Sequence, residues 1–438
     1  MAGPGLIIAA PSTGSGKTTV TLGLLRALKR RGLRVAPAKI GPDYIDPQFH
    51  ALACGQPSQN LDAWAMRPSI FGALVAKLAD AGDLVVAEGV MGLFDGAERA
   101  GQTSDGSTAE VARRTDWPVV LVVNCSGLAQ SIAPLAKGFC DFDEAVDVAG
   151  VILNMVAGAR HLRMLSKAMD EIGVPVFGTL MRDTSIELPS RHLGLVQAEE
   201  QPGLEALLEK AGDAVEQGCD IERLMAIARP PRSCGTPSVH SVPIEPLGQR
   251  IAVASDVAFR FAYPHVLEGW RRAGAELALF SPLADEAPDA RADAVYLPGG
   301  YPELHGARLA AAQSFIGGLG QAAENGVSIY GECGGYMVLG KTLVDADGVG
   351  LRMAGLLSVE TSFAERRLHL GYRHISLSGP CVLGPVGQCY RGHEFHYASA
   401  IAEEGEALFV NLENQSKCGL RRGSVAGSFM HLIDRSDA

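Results

Sequence analysis

Short apolar runs alternate with helical patterns through the first half of the chain, and the same alternation begins again in the second half. The runs of the first half are Leu6–Ala10, Arg34–Ala38, Leu84–Ala87, Val119–Val123 and Gly150–Leu153. Those of the second half are Arg250–Ala254, Ala275–Phe280, Ala294–Leu297 and Val327–Tyr330. Apolar runs that are bounded by turns and separated by helices are typical of parallel strands covered on both faces. The pattern predicts two α/β domains in tandem.

A stretch rich in proline separates the two halves. Residues 229–248 read RPPRSCGTPSVHSVPIEPLG and show neither a helical nor a strand period. Such a composition is typical of a linker. We therefore predict a first domain at residues 1–228, a linker at 229–248 and a second domain at 249–438.

Composition and charge exclude several classes of protein. Hydrophobic residues make up 47% of the 438 residues, which is a globular composition and excludes a disordered or fibrous chain. The net charge of −11 argues against a general nucleic-acid binder, because phosphate contacts need a basic surface. We expect small-molecule partners, no nucleic acid and no membrane, and we leave a homodimer open.

The compartment that we expect is the cytoplasm. The segment Met1–Ala10 has no basic region, so it does not resemble a signal peptide, and no apolar run is long enough to span a bilayer. The nine cysteines are an odd number without CxxC pairs, which indicates reduced thiols.

A glycine-rich loop follows the first predicted strand and precedes an amphipathic helix at Thr19–Arg31. The loop reads PSTGSGKT and matches the phosphate-binding motif G-x-x-x-x-G-K-[ST], except that Pro11 replaces the first glycine. Backbone N–H groups at a helix N-terminus bind phosphate, a motif lysine reaches the outer phosphates and a motif threonine holds Mg²⁺. The residues that we assign to ATP are Gly14, Ser15, Gly16, Lys17, Thr18 and Thr19.

Two further segments supply acids at the predicted carboxyl edge of the first sheet. Asp43 and Asp46 lie in KIGPDYIDP after the second strand, and Glu88 and Asp95 lie in LVVAEGVMGLFDG after the third. Ligands of open α/β sheets bind at this edge. We predict Thr18, Asp43 and Glu88 as magnesium ligands.

A cysteine in the second half lies in a strand–turn–helix context. Residues 327–339 read VSIYGECGGYMVL, which has the form of a nucleophile elbow around Cys333. We expect the helix N-terminus to lower the pKa of the thiol. The amide of Gly334 and that of Gly300, in the loop VYLPGGY, are the predicted oxyanion donors.

Cys333 needs a general base, and the sequence does not decide among three candidate histidines: His393, His396 and His431. A metal site is a less favoured alternative, because its candidate ligands lack a recognised short spacing. Those candidates are His369, His374, His393, His396 and Cys389.

Together the two halves resemble the corrinoid a,c-diamide synthases, which join a dethiobiotin-synthetase-like P-loop ATPase domain to a class I glutamine amidotransferase domain in this order. The matching segments are APSTGSGKTT, KIGPDYIDP, NLDAW, EGVMGLFDG, LPSRHLGLV, PGGYPELH, GECGGYM, GHEFHY and the final GSFMH. Cobyric acid synthases share this plan but are usually longer and lack KIGPDYIDP in this form.

The resemblance implies that Cys333 and His431 are the catalytic pair, because the partner histidine of class I amidotransferases lies near the C-terminus. The usual pattern there is H-x-E, but this chain has Ile433 in place of the glutamate. What orients His431 stays open among Glu394, a backbone carbonyl and water. His393 and His396 are then left with structural or interface roles.

The resemblance also implies the reaction: glutamine- and ATP-dependent amidation of the a and c carboxylates of cobyrinic or hydrogenobyrinic acid through acyl phosphates, with Mg²⁺, in cobalamin biosynthesis. Asn154 resembles an adenine-contacting asparagine. The expected substrate contacts are Tyr44, Asp46, Asp95, Arg191 and His192. The alternatives are another macrocycle, such as nickel-sirohydrochlorin, or a nucleotide-dependent switch with an amidotransferase-like binding module.

Overall fold

The structure is a computed structural model that describes residues 3–186, 188, 190–191, 194–195, 203–232 and 241–436. The chain forms two compact units, the first of residues 1–64 and 68–239 and the second of residues 65–67 and 240–438. Part of the predicted linker, residues 233–240, lies outside the described residues. No helix in the described ranges is long and apolar enough to cross a membrane.

The first unit contains a parallel sheet with the strand order β3-β2-β4-β1-β5-β6-β7. The strands are β1 (Gly5–Ala9), β2 (Val35–Ile40), β3 (Gln59–Leu61), β4 (Leu84–Glu88), β5 (Val119–Asn124), β6 (Val148–Val156) and β7 (Val176–Met181). A short separate hairpin pairs β8 (Ser190–Arg191) with β9 (Gly194–Leu195).

Helices connect these strands. They are α1 (Lys17–Arg30), α2 (Asp46–Cys54), α3 (Pro68–Ala81), α4 (Thr108–Thr115), α5 (Ile132–Asp141), α6 (Ala159–Ile172), α7 (Leu204–Gly218) and α8 (Ile221–Ile227). Every residue of β1, β2 and β4 is buried, which agrees with a sheet covered on both faces. All five strands predicted in this half are confirmed, with ends shifted by up to three residues.

The order of the strands brings three motif segments to one place. The central strand β1 lies beside β4, where Ile8 is in register with Glu88, and β2 lies on the other side of β4, where Lys39 is in register with Glu88. Because parallel strands end at the same edge, the loops after β1, β2 and β4 leave the sheet together. The phosphate loop and the predicted acids therefore share this edge.

The second unit has a mixed sheet with the strand order β11-β10-β12-β13-β22-β21-β20-β17-β18-β23. Its strands are β10 (Arg250–Ala254), β11 (Glu276–Phe280), β12 (Ala294–Leu297), β13 (Ser328–Glu332), β17 (His369–Leu377), β18 (Cys389–His396), β20 (Glu406–Asn411), β21 (Lys417–Arg422), β22 (Val425–Ser428) and β23 (Met430–Ser436). The first five in spatial order, up to β22, are parallel, and the remaining pairs are antiparallel.

A smaller sheet and four helices complete the second unit. The sheet has the order β15-β14-β16-β19, from β14 (Thr342–Val344), β15 (Gly350–Arg352), β16 (Val359–Ser362) and β19 (Ser399–Glu403). The helices of the described residues are α9 (Pro264–Arg272), α10 (Gly306–Ala311), α11 (Gln313–Glu324) and α12 (Gly334–Leu339).

The sequence patterns predicted the parallel strands of this unit but not its antiparallel part. The four predicted strands correspond to β10, β11, β12 and β13. The strands from β14 onward were not predicted, because most are only partly buried and none forms a continuous apolar run; β17, for example, reads HLGYRHISL and is mostly half-buried. This part carries GHEFHY on β18 and the terminal histidine on β23.

We predict that the first unit depends on the packing of β5. Leu121 is fully buried and in register with Ala9 of β1, so Leu121→Ala should lower the free energy of unfolding by about 2–5 kcal/mol. Leu52→Ala, at a side chain that is 43% exposed, should change it by less than about 0.5 kcal/mol. Urea unfolding followed by the fluorescence of Trp64 and Trp117, the two tryptophans of the first unit, in a Trp270→Phe background measures both, and equal effects would contradict the prediction.

Candidate active sites

The phosphate loop is held in place by its glycines and by one asparagine. Gly16 has a φ of +88°, and a Cβ atom there would lie 2.2 Å from Nδ2 of Asn154. That amide nitrogen donates a hydrogen bond of 2.9 Å to the carbonyl of Ser15. The resemblance implies that Asn154 contacts adenine, and in this structure its amide nitrogen lies against the loop. Gly14, with a φ of +80°, has open space around its Cβ position.

Lys17 is the first residue of α1, two positions before the predicted start, so the amides of Thr18 and Thr19 belong to the first turn. Its Nζ atom donates a hydrogen bond of 2.5 Å to the carbonyl of Met91, in the loop after β4. Burial and the nearby ammonium of Lys39 lower the pKa of Lys17. A positive charge that is partly desolvated in this way interacts strongly with an anion brought beside it.

A cluster of buried charges lies next to the loop. Glu88 accepts hydrogen bonds from Thr18 Oγ1 at 2.7 Å and from Lys39 Nζ at 2.9 Å, and its Oε2 lies 2.7 Å from Nε2 of His50. Lys39 also bonds Asp46 at 2.5 Å. Burial alone would raise the pKa of Glu88, but Lys39 and His50 hold it well below its usual range.

Lys39 and His50 were missed by the sequence analysis. The available signal was Lys39 itself, a cation near the end of an otherwise apolar strand. A charge in a strand that is buried on both faces must be paired with an opposite charge. His50 lies on α2 and is fully buried, and no motif pointed to it. The cluster thus contains two carboxylates, Asp46 and Glu88, around one lysine.

The oxygen atoms of this cluster are of the kind that bind a magnesium ion. Mg²⁺ prefers oxygen ligands in an octahedron at 2.0–2.1 Å, so neighbouring ligand atoms lie about 2.9 Å apart. The hydroxyl of Thr18 and Oε1 of Glu88 are 2.7 Å apart. Asp46 adds a second carboxylate near the first, whereas the predicted ligand Asp43 uses Oδ1 to accept hydrogen bonds from the amides of Ile45 and Asp46.

The other residues expected to contact the substrate lie in different settings. Tyr44 is only 5% exposed, and Asp95 is exposed, although its Oδ2 accepts a hydrogen bond from the amide of Gly92. Arg191 belongs to β8, but its side chain and the whole of His192 lie outside the described residues. Asp46 belongs to the charge cluster, so among the three described candidates only Asp95 faces solvent.

Cys333 lies at a sharp turn between β13 and α12. Its φ is +46°, an uncommon value for a residue with a side chain, and its amide donates to the carbonyl of Ser428 at 2.8 Å. The following helix approaches β12 so closely that a Cβ on Gly335 would lie 2.0 Å from the carbonyl oxygen of Leu297. The geometry is that of the predicted nucleophile elbow, and glycine is required beside the cysteine.

Two backbone amides lie beside the thiol. The amide of Gly334 hydrogen-bonds to Cys333, and a Cβ on Gly334 would lie 3.0 Å from the amide nitrogen of Gly300. Burial, followed by the negative charge of Glu303, raises the pKa of the Cys333 thiol. The expected lowering of this pKa is therefore wrong, because burial of the thiol outweighs the hydrogen bond from the amide of Gly334 at the start of α12.

His431 is completely buried on β23 and lies near Cys333. A Cβ on Gly299 would lie 2.2 Å from Cε1 of His431 and 3.0 Å from its Nε2. The same Cβ would lie 3.3 Å from Cβ of Cys333, so both side chains lie beside this glycine. Burial, with a smaller effect of His393, lowers the pKa of His431 to about 3, and a backbone hydrogen bond with Phe261 opposes the shift. The pair is therefore neutral near pH 7.

A glutamate missed by the sequence analysis lies beside this histidine. Oε2 of Glu332 is 4.0 Å from Nδ1 of His431. Glu394, one of the candidates for that place, is instead bound to Arg373 at 2.6 Å and to His396 Nε2 at 3.0 Å. The available signal was the position of Glu332 in GECGG, directly before the cysteine.

Only part of the alternative metal set comes together. Nitrogen atoms of His369 and His396 lie with an oxygen of Glu394 within 4.8 Å of one another. The two imidazoles are stacked, with planes 8° apart and centroids separated by 4.6 Å. Metal ions lie close to the plane of a ligating imidazole, and two nearly parallel planes do not meet at one ion. His374 does not belong to this group, and its Nε2 lies 2.8 Å from the hydroxyl oxygen of Ser436.

Comparison with known proteins accounts for both halves of the chain. Residues 6–196 match the CobQ/CobB/MinD/ParA nucleotide binding domain, and residues 250–438 match the CobB/CobQ-like glutamine amidotransferase domain. Both α/β folds predicted from the sequence are thereby confirmed.

Two curated relatives extend over nearly the whole chain. A hydrogenobyrinate a,c-diamide synthase of Brucella abortus is 56% identical and covers 99% of both chains. One of Rhodobacter capsulatus is 53% identical and covers 98% of both. The resemblance read from the motifs is confirmed, and the chain belongs to the family of hydrogenobyrinate a,c-diamide synthases.

Proposed function

We propose that the protein amidates the a and c side-chain carboxylates of hydrogenobyrinate, using ATP and glutamine, as the names of its relatives indicate for those proteins. The proposal rests on the observation that the chain contains two separate sets of functional groups. One set is the phosphate loop beside the Glu88–Lys39 cluster, and the other is the buried Cys333–His431 pair with two backbone amides. The first set suits phosphoryl transfer, and the second suits attack on an amide.

ATP is needed because a carboxylate is a poor electrophile and its oxygen is a poor leaving group. Transfer of the γ-phosphoryl group to the carboxylate gives an acyl phosphate, from which phosphate can leave. Lys17 and the amides from Gly14 to Thr18 would stabilise the charge on the transferring group. Thr18, Glu88 and Asp46 would hold Mg²⁺, which supplies further charge neutralisation when bound.

Glutamine supplies the nitrogen. The sulfur of Cys333 attacks the side-chain amide carbon, and the thiol proton passes to His431. The amides of Gly300 and Gly334 hold the oxyanion while His431 returns the proton to the departing nitrogen. Ammonia and a thioester form, and water, deprotonated by His431, hydrolyses the thioester to glutamate.

The ammonia then attacks the acyl phosphate and displaces phosphate, which completes one amide. The second carboxylate is treated in the same way with another ATP and another glutamine. We assign Asn154 to support of the phosphate loop, and Tyr44, Asp95, Arg191 and His192 to the macrocycle. Reduced thiols and the small-molecule substrates support a place in the cytoplasm.

We expect Cys333→Ala to abolish glutamine-dependent amidation and to retain the reaction driven by ammonium salts, because only glutamine hydrolysis needs the thiol. Product masses with hydrogenobyrinate, ATP and either nitrogen source provide the measurement. Cys389→Ala is the matched control, since it removes another buried thiol of the same unit. A Cys333→Ala enzyme with the original glutamine-dependent rate would refute the assignment.

We expect Lys17→Ala and Glu88→Gln each to reduce amidation from glutamine and from ammonium by a factor on the order of 10² or more, because both residues act before ammonia is used. Lys137→Ala and Glu171→Gln, at exposed ion pairs of the same unit, are controls that should leave both rates unchanged. Loss of the glutamine-driven reaction alone would contradict the assignment of Lys17 and Glu88 to the ATP site.

A further inference from the structure

We propose that Glu332 is the positioning residue of the glutaminase site, which orients His431 and stabilises its protonated form. It would thereby replace the glutamate that the H-x-E pattern places two residues after the histidine, where this chain has Ile433. The inference rests on the proposed function, because it concerns the hydrolysis of glutamine at Cys333.

Glu332 occupies a position that links the nucleophile to the base. It is the last residue of β13, so it is bonded directly to Cys333, and its side chain is buried with Oε2 4.0 Å from Nδ1 of His431. The peptide bond between the two residues thus fixes the backbone of Glu332 relative to Cys333. This distance is too long for a hydrogen bond but is short enough for a charge–charge interaction once His431 is protonated.

The carboxylate itself is anchored at both oxygens. The hydroxyl of Tyr296 donates a hydrogen bond of 2.8 Å to Oε2, and the amide of Leu432 donates one of 3.1 Å to Oε1. Leu432 directly follows His431 on β23, and Tyr296 is packed against Trp270 with ring centroids 5.2 Å apart. Glu332 therefore ties β12 and β13 to the strand that carries the histidine.

The two nitrogens of His431 face different partners. Its Nε2 lies 3.0 Å from the Cβ position of Gly299, which is itself 3.3 Å from Cβ of Cys333. Its Nδ1 lies toward Glu332. With a proton on Nδ1 directed at the carboxylate, Nε2 keeps the lone pair that must accept the thiol proton, as in a Ser-His-Asp triad.

The charge of Glu332 is needed because His431 must become positive in the reaction. The imidazole is neutral at rest, since it is fully buried, and an imidazolium without a counter-charge at that depth is costly. Among the described residues around His431 the other groups do not supply one: the backbone of Phe261, which hydrogen-bonds to His431, carries no net charge, His393 can add only positive charge, Tyr263 is a phenol, and Glu394 is already bound by Arg373. Glu332 supplies a carboxylate within 4.0 Å.

The direct test is Glu332→Gln, which keeps the size of the side chain and an acceptor oxygen but removes the charge. We expect kcat for glutamate release to fall by a factor on the order of 10² or more. KM for glutamine should change by less than about twofold, because in the proposed role Glu332 acts through His431 and not on glutamine. Amidation driven by ammonium should keep its rate.

A pH profile separates this role from a structural one. Alkylation of Cys333 by iodoacetamide reports the thiolate, which the imidazolium of His431 stabilises. The groups facing Glu332 are Tyr330 on its own strand β13, Tyr296 on the neighbouring strand β12, and His431 on β23. Without the carboxylate the imidazolium is less stable, so the variant should react more slowly at neutral pH and its profile should move to higher pH.

Glu403→Gln is the control, because Glu403 also accepts a hydrogen bond from a tyrosine hydroxyl, that of Tyr336 at 2.5 Å, and lies on β19 of the smaller sheet. It should leave kcat and the alkylation profile unchanged. Tyr296→Phe, which removes one anchor of the carboxylate and no charge, should lower kcat by several-fold, and it tests the proposal even if Glu332→Gln does not fold.

Three outcomes would overturn the proposal. The first is an unchanged kcat in Glu332→Gln, or in Tyr296→Phe where only that variant folds. The second is an equal fall of the glutamine- and ammonium-driven reactions, which would indicate a structural role. The third is a wild-type protein that releases no glutamate from glutamine, and that result alone would also overturn the proposed function.

Discussion

Both candidate sites depend on places where no Cβ atom fits. A Cβ on Gly16 would collide with the amide of Asn154, one on Gly299 with the ring of His431, and one on Gly335 with the carbonyl of Leu297. Because these glycines carry no side chain, the backbone approaches its neighbours closely. In the proposed reactions, backbone N–H groups beside these glycines would receive negative charge in both units.

Burial then sets the electrostatics of each site in a different way. Glu88 is buried beside Lys39 and His50, which keep it ionised and suited to a cation. Burial raises the pKa of Glu332 to about 7, and the hydrogen bonds from the phenol of Tyr296 and the amide of Leu432 oppose that shift. The first carboxylate is held ionised by its cations, whereas the second would gain a counter-charge only when His431 is protonated in the proposed reaction.

Burial acts on the proposed glutaminase pair as well. It raises the pKa of the Cys333 thiol and lowers that of the His431 imidazole, so burial favours the neutral form of both groups. In the proposed reaction, the carbonyl oxygen of glutamine would lie at the amides of Gly300 and Gly334, where negative charge would develop.

The sequence by itself determined the strands of both parallel regions, the phosphate loop, the elbow at Cys333 and the family, because these depend on local patterns of apolar residues, glycines and short motifs. Only the tertiary structure brought Lys39 and His50 to Glu88, and Glu332 to His431, and it placed the amide of Asn154 against the phosphate loop. The physical reason is that partners of buried charges are chosen by strand order and register. Lys39 and Glu88 are 49 residues apart in sequence and adjacent in the sheet, and no local pattern records that.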